Sequence, residues 1–272
     1  IASLDDNGEL TWDQFPKSLR TIKVAQNGNG DFSSIAAAVD SIHDNSEMRR
    51  YLIVVDPGTY VEPTINMKPW VTVTGVNAKH VIVEAASYNQ NLFEMSPNAR
   101  LSYVTVRNVF GTGSAIHFQN QSGPGAIELF NIRFGRCVRW LHFQSGTFRT
   151  NGILRDCRFL PEADFAEGFR LESSITSNPC VVIMLNCIAA EGQFPNGTHF
   201  AIADGPFSRF ICQNCVFNSF GMQGHAFEIA NGAKIEVTGS YLQAWDTVFH
   251  APNDSGSPTI RCTASTMVDN IK

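Results

Sequence analysis

Side chains able to move protons or grip a sugar recur in this chain at strand spacing. The segments AIHFQ (115–119), WLHFQ (140–144), GFRLE (168–172), HFAIA (199–203), AFEIA (226–230) and TVFHA (247–251) alternate apolar and polar residues. Period-two alternation of this kind marks a strand with one buried face. With Ile116, Phe118, Leu141, Phe143, Phe169, Leu171, Phe200, Ile202, Phe227 and Ile229 turned inward, the alternate residues face out. The outward set then holds His117, Gln119, Trp140, His142, Gln144, Arg170, Glu172 and Glu228, with Ala115, Gly168, His199 and further alanines between them. A polar strip with an indole suits a sugar chain, which stacks on rings and bonds to amides and charged forks. The same strip would also serve as a contact between subunits.

Catalysis on the strip would need more. Glycoside hydrolysis uses two carboxyls roughly 5 to 9 Å apart. The nearby carboxylates are Asp164, Glu167, Glu172 and Glu228. Glu172 and Glu228 fall two repeats apart, about 10 Å at strand spacing, and no pair stands out among the rest. Cys212 and Cys215 have CxxC spacing but lack the second pair or the histidines of a zinc site. No metal or other cofactor is expected. Asn120, Asn196 and Asn253 open Asn-x-Ser/Thr triplets, which are acceptors only in a secretory pathway. Gly28-Asn29-Gly30 sits between a strand and a helix, where phosphate loops sit. No Gly-Lys-Ser/Thr and no GxGxxG spacing follows it.

The elements that position the strip repeat. VTVTG (71–75), LSYVT (101–105), IELFN (127–131), ILRD (153–156), VIMLN (182–186), FICQN (210–214), IEVTG (235–239) and IRCTA (260–264) recur at intervals of 25 to 30 residues. Their closing residues are Gly75, Thr105, Asn131, Asp156, Asn186, Asn214, Gly239 and Ala264, and an apolar residue often returns three positions later, as at Phe134, Phe159, Phe217, Leu242 and Met267. Two strands per period, each too short for its own core, predict one coil of a parallel β-solenoid. Stacked Asn and Asp at the closing position would bond the turn backbone of the next coil. Cys157, Cys187 and Cys215 each follow a closing residue, and Cys212 and Cys262 take inward strand positions, so they read as small packing residues.

Ahead of the repeat, SSIAAAVDSI places Ile35, Val39 and Ile42 on one helical face, with Asp31 or Ser33 as cap. The strand RRYLIVVDPGTYVE (49–62) follows. A helix of about 32–43 would cover the open edge of the first coil. The formal charge of -5 and pI near 5.8 exclude a general attraction to nucleic acid or an anionic membrane. The apolar run Val181 to Leu185 is far too short to span a bilayer. Seven cysteines leave at least one thiol unpaired, which fits a reducing compartment. The opening at Ile1 reads as an excerpt of something longer.

VAQNGNGDFSSIAAAVDSI with RRYLIVVDPGTYVE resembles the opening of the pectin methylesterases, and NIRFGRCVRWLHFQSGTFRTNGILRDCRF and SYLQAWDTVF extend the likeness. The resemblance implies a right-handed parallel β-helix with an N-terminal capping helix, an all-β fold. It does not bring the family's chemistry. Where those esterases carry a Gln before an A-V-A-L strand, this chain has Ser114. Their Q-D-T-L acid/base aspartate corresponds to Arg139, and their Y-L-G-R-P-W arginine falls in Tyr241-Leu242-Gln243-Ala244-Trp245. The nucleophilic aspartate of G-T-V-D-F-I-F-G matches Asp164 only across a gap.

SLDDNGELTWDQFPKSLR (3–20) resembles connectors of phage tail fibre and tailspike proteins. Together these readings predict a connector at 1–20 and a single β-helix domain at 21–272. The expected role is a non-pectinolytic module of a virion tail appendage, homotrimeric, that contacts host surface polysaccharide and other tail proteins. It reads as a binder before an enzyme, with no nucleic acid and no membrane insertion. An active depolymerase or carbohydrate esterase, and a structural spacer, are the alternatives.

Overall fold

The computed structural model describes residues 3–4, 10–11, 19–121, 123–144, 146–160, 167–173, 178–189, 199–218, 225–244, 247–251 and 257–269. Beyond a small antiparallel pair, Ser3–Leu4 with Leu10–Thr11, the strands form three parallel sheets of 10, 9 and 8 strands. The chain visits the sheets in rotation, so successive coils stack as a parallel β-helix. The first sheet starts at Arg20–Val24 and includes Ala126–Phe130, Thr150–Arg155, Cys180–Leu185 and Ser208–Gln213. The third holds Phe93–Glu94, Ile116–Gln119, Arg139–Gln144, Glu167–Glu172, His199–Asp204, His225–Ala230 and Thr247–His250. Among the described residues no helix is long and apolar enough to cross a membrane.

Each coil therefore has three strands where the alternation predicted two. The missing one is the apolar return: Phe134 and Phe159 lie on the strands Arg133–Phe134 and Arg158–Phe159 of the second sheet. Two residues are too few for periodicity to register, so this strand is visible only through its pairing. Its inward rings feed one aromatic column. Phe134 stacks on Phe159 at 4.9 Å between ring centroids, Phe159 meets Phe169 at 4.8 Å, Phe169 meets Phe200 at 4.9 Å and Phe200 meets Phe217 at 4.4 Å.

The closing residues have a different job from the one expected. Asn131, Asp156, Asn186 and Asn214 have φ of 52 to 54°, with Gly239 at 59° and Ala264 at 48°. This left-handed conformation is what Asn, Asp and Gly tolerate best. Each bends the chain between the first and second sheets while its N–H donates to a carbonyl of the next coil, as Asn186 does to Gln213 at 3.0 Å. The only side-chain rung among them that the described residues show is Asn186 Nδ2 to Asp156 Oδ1, at 3.4 Å. On the earlier coil the position belongs to Tyr103 (φ 54°), not Thr105, because Ser102 pairs with Phe130. Gly75 does not share the conformation. One residue further on, Cys157, Cys187 and Cys215 are buried free thiols, each directed at a backbone carbonyl of the preceding coil.

The capping helix is shorter than expected, Ile35–Asp40, and Ser34 is its N-cap. Asp31 instead accepts a hydrogen bond from the Lys23 N–H (2.7 Å), closing the Asn-Gly-Asn-Gly turn on itself. A side chain at Gly30 would meet Ala25 N at 2.6 Å, so glycine is required there by close approach. Glu62, at the end of the GTYVE strand, is 2% exposed and accepts hydrogen bonds from the N–H groups of Ile35 (2.7 Å) and Ala36 (3.2 Å) and from the Ser34 hydroxyl (2.7 Å). The two halves of the opening motif, far apart in sequence, thus meet as helix terminus and capping carboxylate.

Candidate functional site

The outward face of the third sheet carries two side-chain ladders. Strand pairing places Glu94, His117, His142, Arg170, Ile202, Glu228 and His250 in one. Gln119, Gln144, Glu172, Asp204 and Ala230 form the other. His117, His142, Gln144, Arg170 and Glu172 are thus brought together as expected from alternation. Ile202 then interrupts the strip, so Glu228 stands apart beside His250. Gln119 lies exposed at the strand end.

Trp140 is not on this face. Its side chain is fully buried, its indole N–H donates to the Gly135 carbonyl (3.1 Å), and its ring packs against Phe159 (5.1 Å), Phe169 (6.1 Å) and Phe200 (6.2 Å). Ala115, Gly168, Phe200 and Val248 occupy the same place on other coils and are all buried. At this corner the chain turns from the second sheet into the third, and the residue at the bend points into the core. Small and large side chains alternate there: a Cβ on Gly168 would come within 3.1 Å of the Trp140 ring. The corner also reverses the expected pattern of HFAIA. Ala201 and Ala203 point inward and Ile202 outward, because Phe200 fills the corner rather than a strand position.

One continuous hydrogen-bond chain crosses the strip. Asn91 donates to Glu94 Oε1 (2.7 Å), and Glu94 Oε2 meets His117 Nδ1 at 2.6 Å. His117 Nε2 lies 3.1 Å from Gln144 Oε1, and Gln144 Nε2 donates to Glu172 Oε2 (2.9 Å). Glu172 also receives His142 Nε2 (3.1 Å) and Arg170 Nε. The donor and acceptor needs of this chain set the protons. Glu172 accepts only, so Gln144 turns its amide nitrogen that way and offers its oxygen to His117. His117 therefore faces an acceptor at each nitrogen and is satisfied only when doubly protonated. His142 needs a single proton, on Nε2.

The electrostatics agree. Burial disfavours the charge on His117, yet the bond and charge of Glu94 and the bond to Gln144 raise its pKa. Burial, reinforced by the Arg139 and His117 charges, lowers that of His142 despite Glu172. Burial likewise works against charge on Glu94, outweighed by His117 and Asn91, which hold it below the carboxylate range. For Glu172 burial is overcome by the bonds from Gln144, Arg170 and His142, and its pKa falls to about 2. A carboxylate with a depressed folded-state pKa contributes stability above its unfolded value and loses it as pH falls through the folded one. For Glu172 that window runs from 4.5 to about 2. Glu172→Gln is therefore expected to be less stable than the parent at neutral pH and to converge with it through this window. Urea midpoints across the acid range measure the convergence, and a constant gap would mean the carboxylate is not held this way.

The remaining sequence candidates fall elsewhere. Asp164 lies outside the described residues, and of Glu167 only the backbone is described, in register with Arg139. Ser114 is buried with its hydroxyl unpaired. Gln243 is 9% exposed and accepts from the Tyr241 hydroxyl (2.9 Å). No cluster of three metal-ligating side chains exists among the described residues. Two features escaped the alternation. Glu94 sits on a strand of two residues, although the coil spacing counted back from His117 leads to it. Phe148 and Phe207, each 39% exposed, lie in the turns that leave this sheet after Gln144 and Asp204.

No family model matches this chain. The putative pectinesterase 11 of Arabidopsis thaliana is 34% identical over 101 residues, which cover 34% of this chain and 28% of that protein. Pectinesterase 31 of the same plant is 26% identical over 170 residues, 55% of this chain and 52% of that protein. The chain thus spans about half or less of the length of these curated relatives. Among solved structures, the pectin methylesterase PemA from Erwinia chrysanthemi superposes with a TM-score of 0.61 at 9% identity, covering 93% of this chain and 90% of that one. A pectin methylesterase in complex with a hexasaccharide gives 0.58 at 11%, covering 86% and 81%. The A-module of the mannuronan C-5 epimerase AlgE4 from Azotobacter vinelandii gives 0.57 at 11%, covering 86% and 72%. At such identities the agreement concerns the path of the backbone, and in that path this chain is a parallel β-helix of the pectin methylesterase type.

Proposed function

We propose that this chain is a polysaccharide-contacting β-helix module of a virion tail appendage, and that the outward face of its third sheet holds the sugar chain. The observation that carries the reading is the hydrogen-bonded strip from Glu94 to Glu172, which presents charged and amide groups side by side on consecutive coils. Fixed, half-buried polar groups of this kind bind sugar hydroxyls and carboxylates without first having to be ordered. The relatives and fold neighbours are named for pectin and mannuronan, both polysaccharides. The sequence resemblance puts Ser114 and Arg139 at the glutamine and acid/base aspartate of the esterases and offers no arginine within 241–245, so pectin ester hydrolysis is not part of the proposal.

With Trp140 in the core, Phe148 and Phe207 supply the stacking surface beside the strip. Each ring contributes about 0.5–1.5 kcal/mol beyond its area, so the Phe148→Ala, Phe207→Ala double variant binds roughly tenfold more weakly. Titration against host capsular and O-antigen polysaccharides measures this, and no binding to any acidic or neutral polysaccharide would remove the reading. The trimer, part of the same proposal, has a better seam on the first sheet. There Ile153, Ile183 and Ile211 form an outward apolar ladder, between Glu128 and Glu236, with Val181 and Leu185 beside it. Packing copies through this ladder leaves the polar strip open, and sedimentation as a monomer would count against it.

A further inference from the structure

Resting on the reading that the third sheet holds a polysaccharide, we propose that His142 and His117 act as general base and general acid in cleaving a uronate-containing chain by β-elimination. The two imidazoles lie on adjacent coils of one ladder, with ring centroids 5.2 Å apart. Each is oriented by its own carboxylate, His117 by Glu94 at 2.6 Å and His142 by Glu172 at 3.1 Å. The bond to Glu172 takes the His142 Nε2 proton and leaves the lone pair on Nδ1. No described residue bonds that atom. The buried side-chain N and O atoms without a partner are Ser114 Oγ and Asn218 Oδ1 among the described residues, so Nδ1 keeps contact with solvent on a side chain that is 15% exposed. His117, by contrast, is the ring whose two acceptors demand two protons. One site thus holds a neutral and a charged imidazole side by side, the arrangement that separates base from acid.

The carboxylates argue against hydrolysis. Glu94 and Glu172 are three inter-strand steps apart, about 14 Å, beyond the roughly 5–9.5 Å that glycosidase pairs span. Glu172, ionised down to about 2, has no proton to give. A histidine pair can instead break a glycosidic bond when the sugar has an acidic C–H beside a carboxylate. Arg170, next to His142 along the ladder and ion-paired with Glu172, and Arg139, in the same strand, place positive charge beside the two rings, where that carboxylate would lie. In the step, His142 Nδ1 takes the proton from C5 of the uronate. The C–H electrons become the C4=C5 double bond and the C4–O4 bond breaks. Its electrons stay on O4, which takes the Nε2 proton of His117 as that proton leaves the Gln144 oxygen. The two rings exchange protonation states, and water restores both.

The test uses the intact chain with polygalacturonate, alginate and glucuronate-containing capsular polysaccharides. It follows the ultraviolet absorbance of the conjugated double bond, new reducing ends, and binding in parallel. Absorbance and reducing ends rising together on at least one polymer is the expected result. His142→Ala and His142→Gln should then lose about 10²- to 10⁴-fold in rate, a loss larger than the changes in binding and in urea midpoint that follow from removing the bond to Glu172. Glu172 is a positioning residue. Glu172→Gln, which removes the group favouring a charged His142, should shift the acidic limb of the rate profile to lower pH. Binding without absorbance overturns the elimination and leaves the binding reading intact. Reducing ends without absorbance, or release of methanol or acetate, overturns it in favour of water activation. Absence of binding overturns both.

Discussion

Replacing Glu62 by alanine is expected to cost the fold about 3–5 kcal/mol. Its carboxylate is buried and accepts from the first two N–H groups of the capping helix and from the Ser34 hydroxyl. Alanine leaves those two amides buried and unpaired, at about 1–3 kcal/mol each. A helix of six residues has no stability of its own to draw on. With the helix loosened, Ile35, Val39 and Ile42 lose the seal they make with the first coil. Glu62→Gln keeps an acceptor and should retain most of the stability, while Ser34→Ala, which removes a single cap bond, should cost about 1 kcal/mol. Urea unfolding of the three variants checks the order. A loss below about 1 kcal/mol for Glu62→Ala would mean that water replaces the carboxylate at those amides.

Trp140→Ala is expected to lose about 3–5 kcal/mol of stability while leaving polysaccharide binding unchanged. The indole is enclosed by Phe159, Phe169 and Phe200 and lies over Gly168. Its removal opens a cavity in the aromatic column that a glycine backbone cannot fill. Were Trp140 instead a sugar platform, the same variant would fold normally and bind weakly. Binding and unfolding measured on one preparation separate the two, and a stable, non-binding variant would return the indole to the surface. Gly168→Ala probes the same corner from the other side. Its new Cβ would approach the Phe200 carbonyl at 2.3 Å.

Much of this architecture could be read from residues in order. The recurrence of VTVTG-like segments identified stacked coils, and the inward places of Cys212 and Cys262 followed from counting along them. The turn residues Asn131, Asp156, Asn186 and Asn214 were also visible, though their role was misread. Repetition suggested a side-chain ladder, whereas a φ near 53° is what the position requires. Two-residue strands such as Arg133–Phe134 were noticed only as isolated apolar returns, because two residues do not define a period.

For the candidate site, strand periodicity alone placed His117, His142, Gln144, Arg170 and Glu172 on one face. Period two fixes side-chain direction wherever a strand runs straight. It fails at corners, where the backbone changes direction between sheets and adjacent residues can both point inward, as Trp140 and Leu141 do. Nor could the sequence state which protons the site holds. The double protonation of His117 and the lone pair on His142 Nδ1 follow from hydrogen bonds to Glu94, Gln144 and Glu172, residues 28 to 78 positions apart in the chain. Stacking the coils brings them within hydrogen-bond reach. Local sequence thus determined the strands, the helix and most of the outward face, because those depend on neighbours along the chain. The corner that buries Trp140, the pairing of Glu62 with the helix, and the charge states of the two histidines were decided by contacts between coils, which only the tertiary structure supplies.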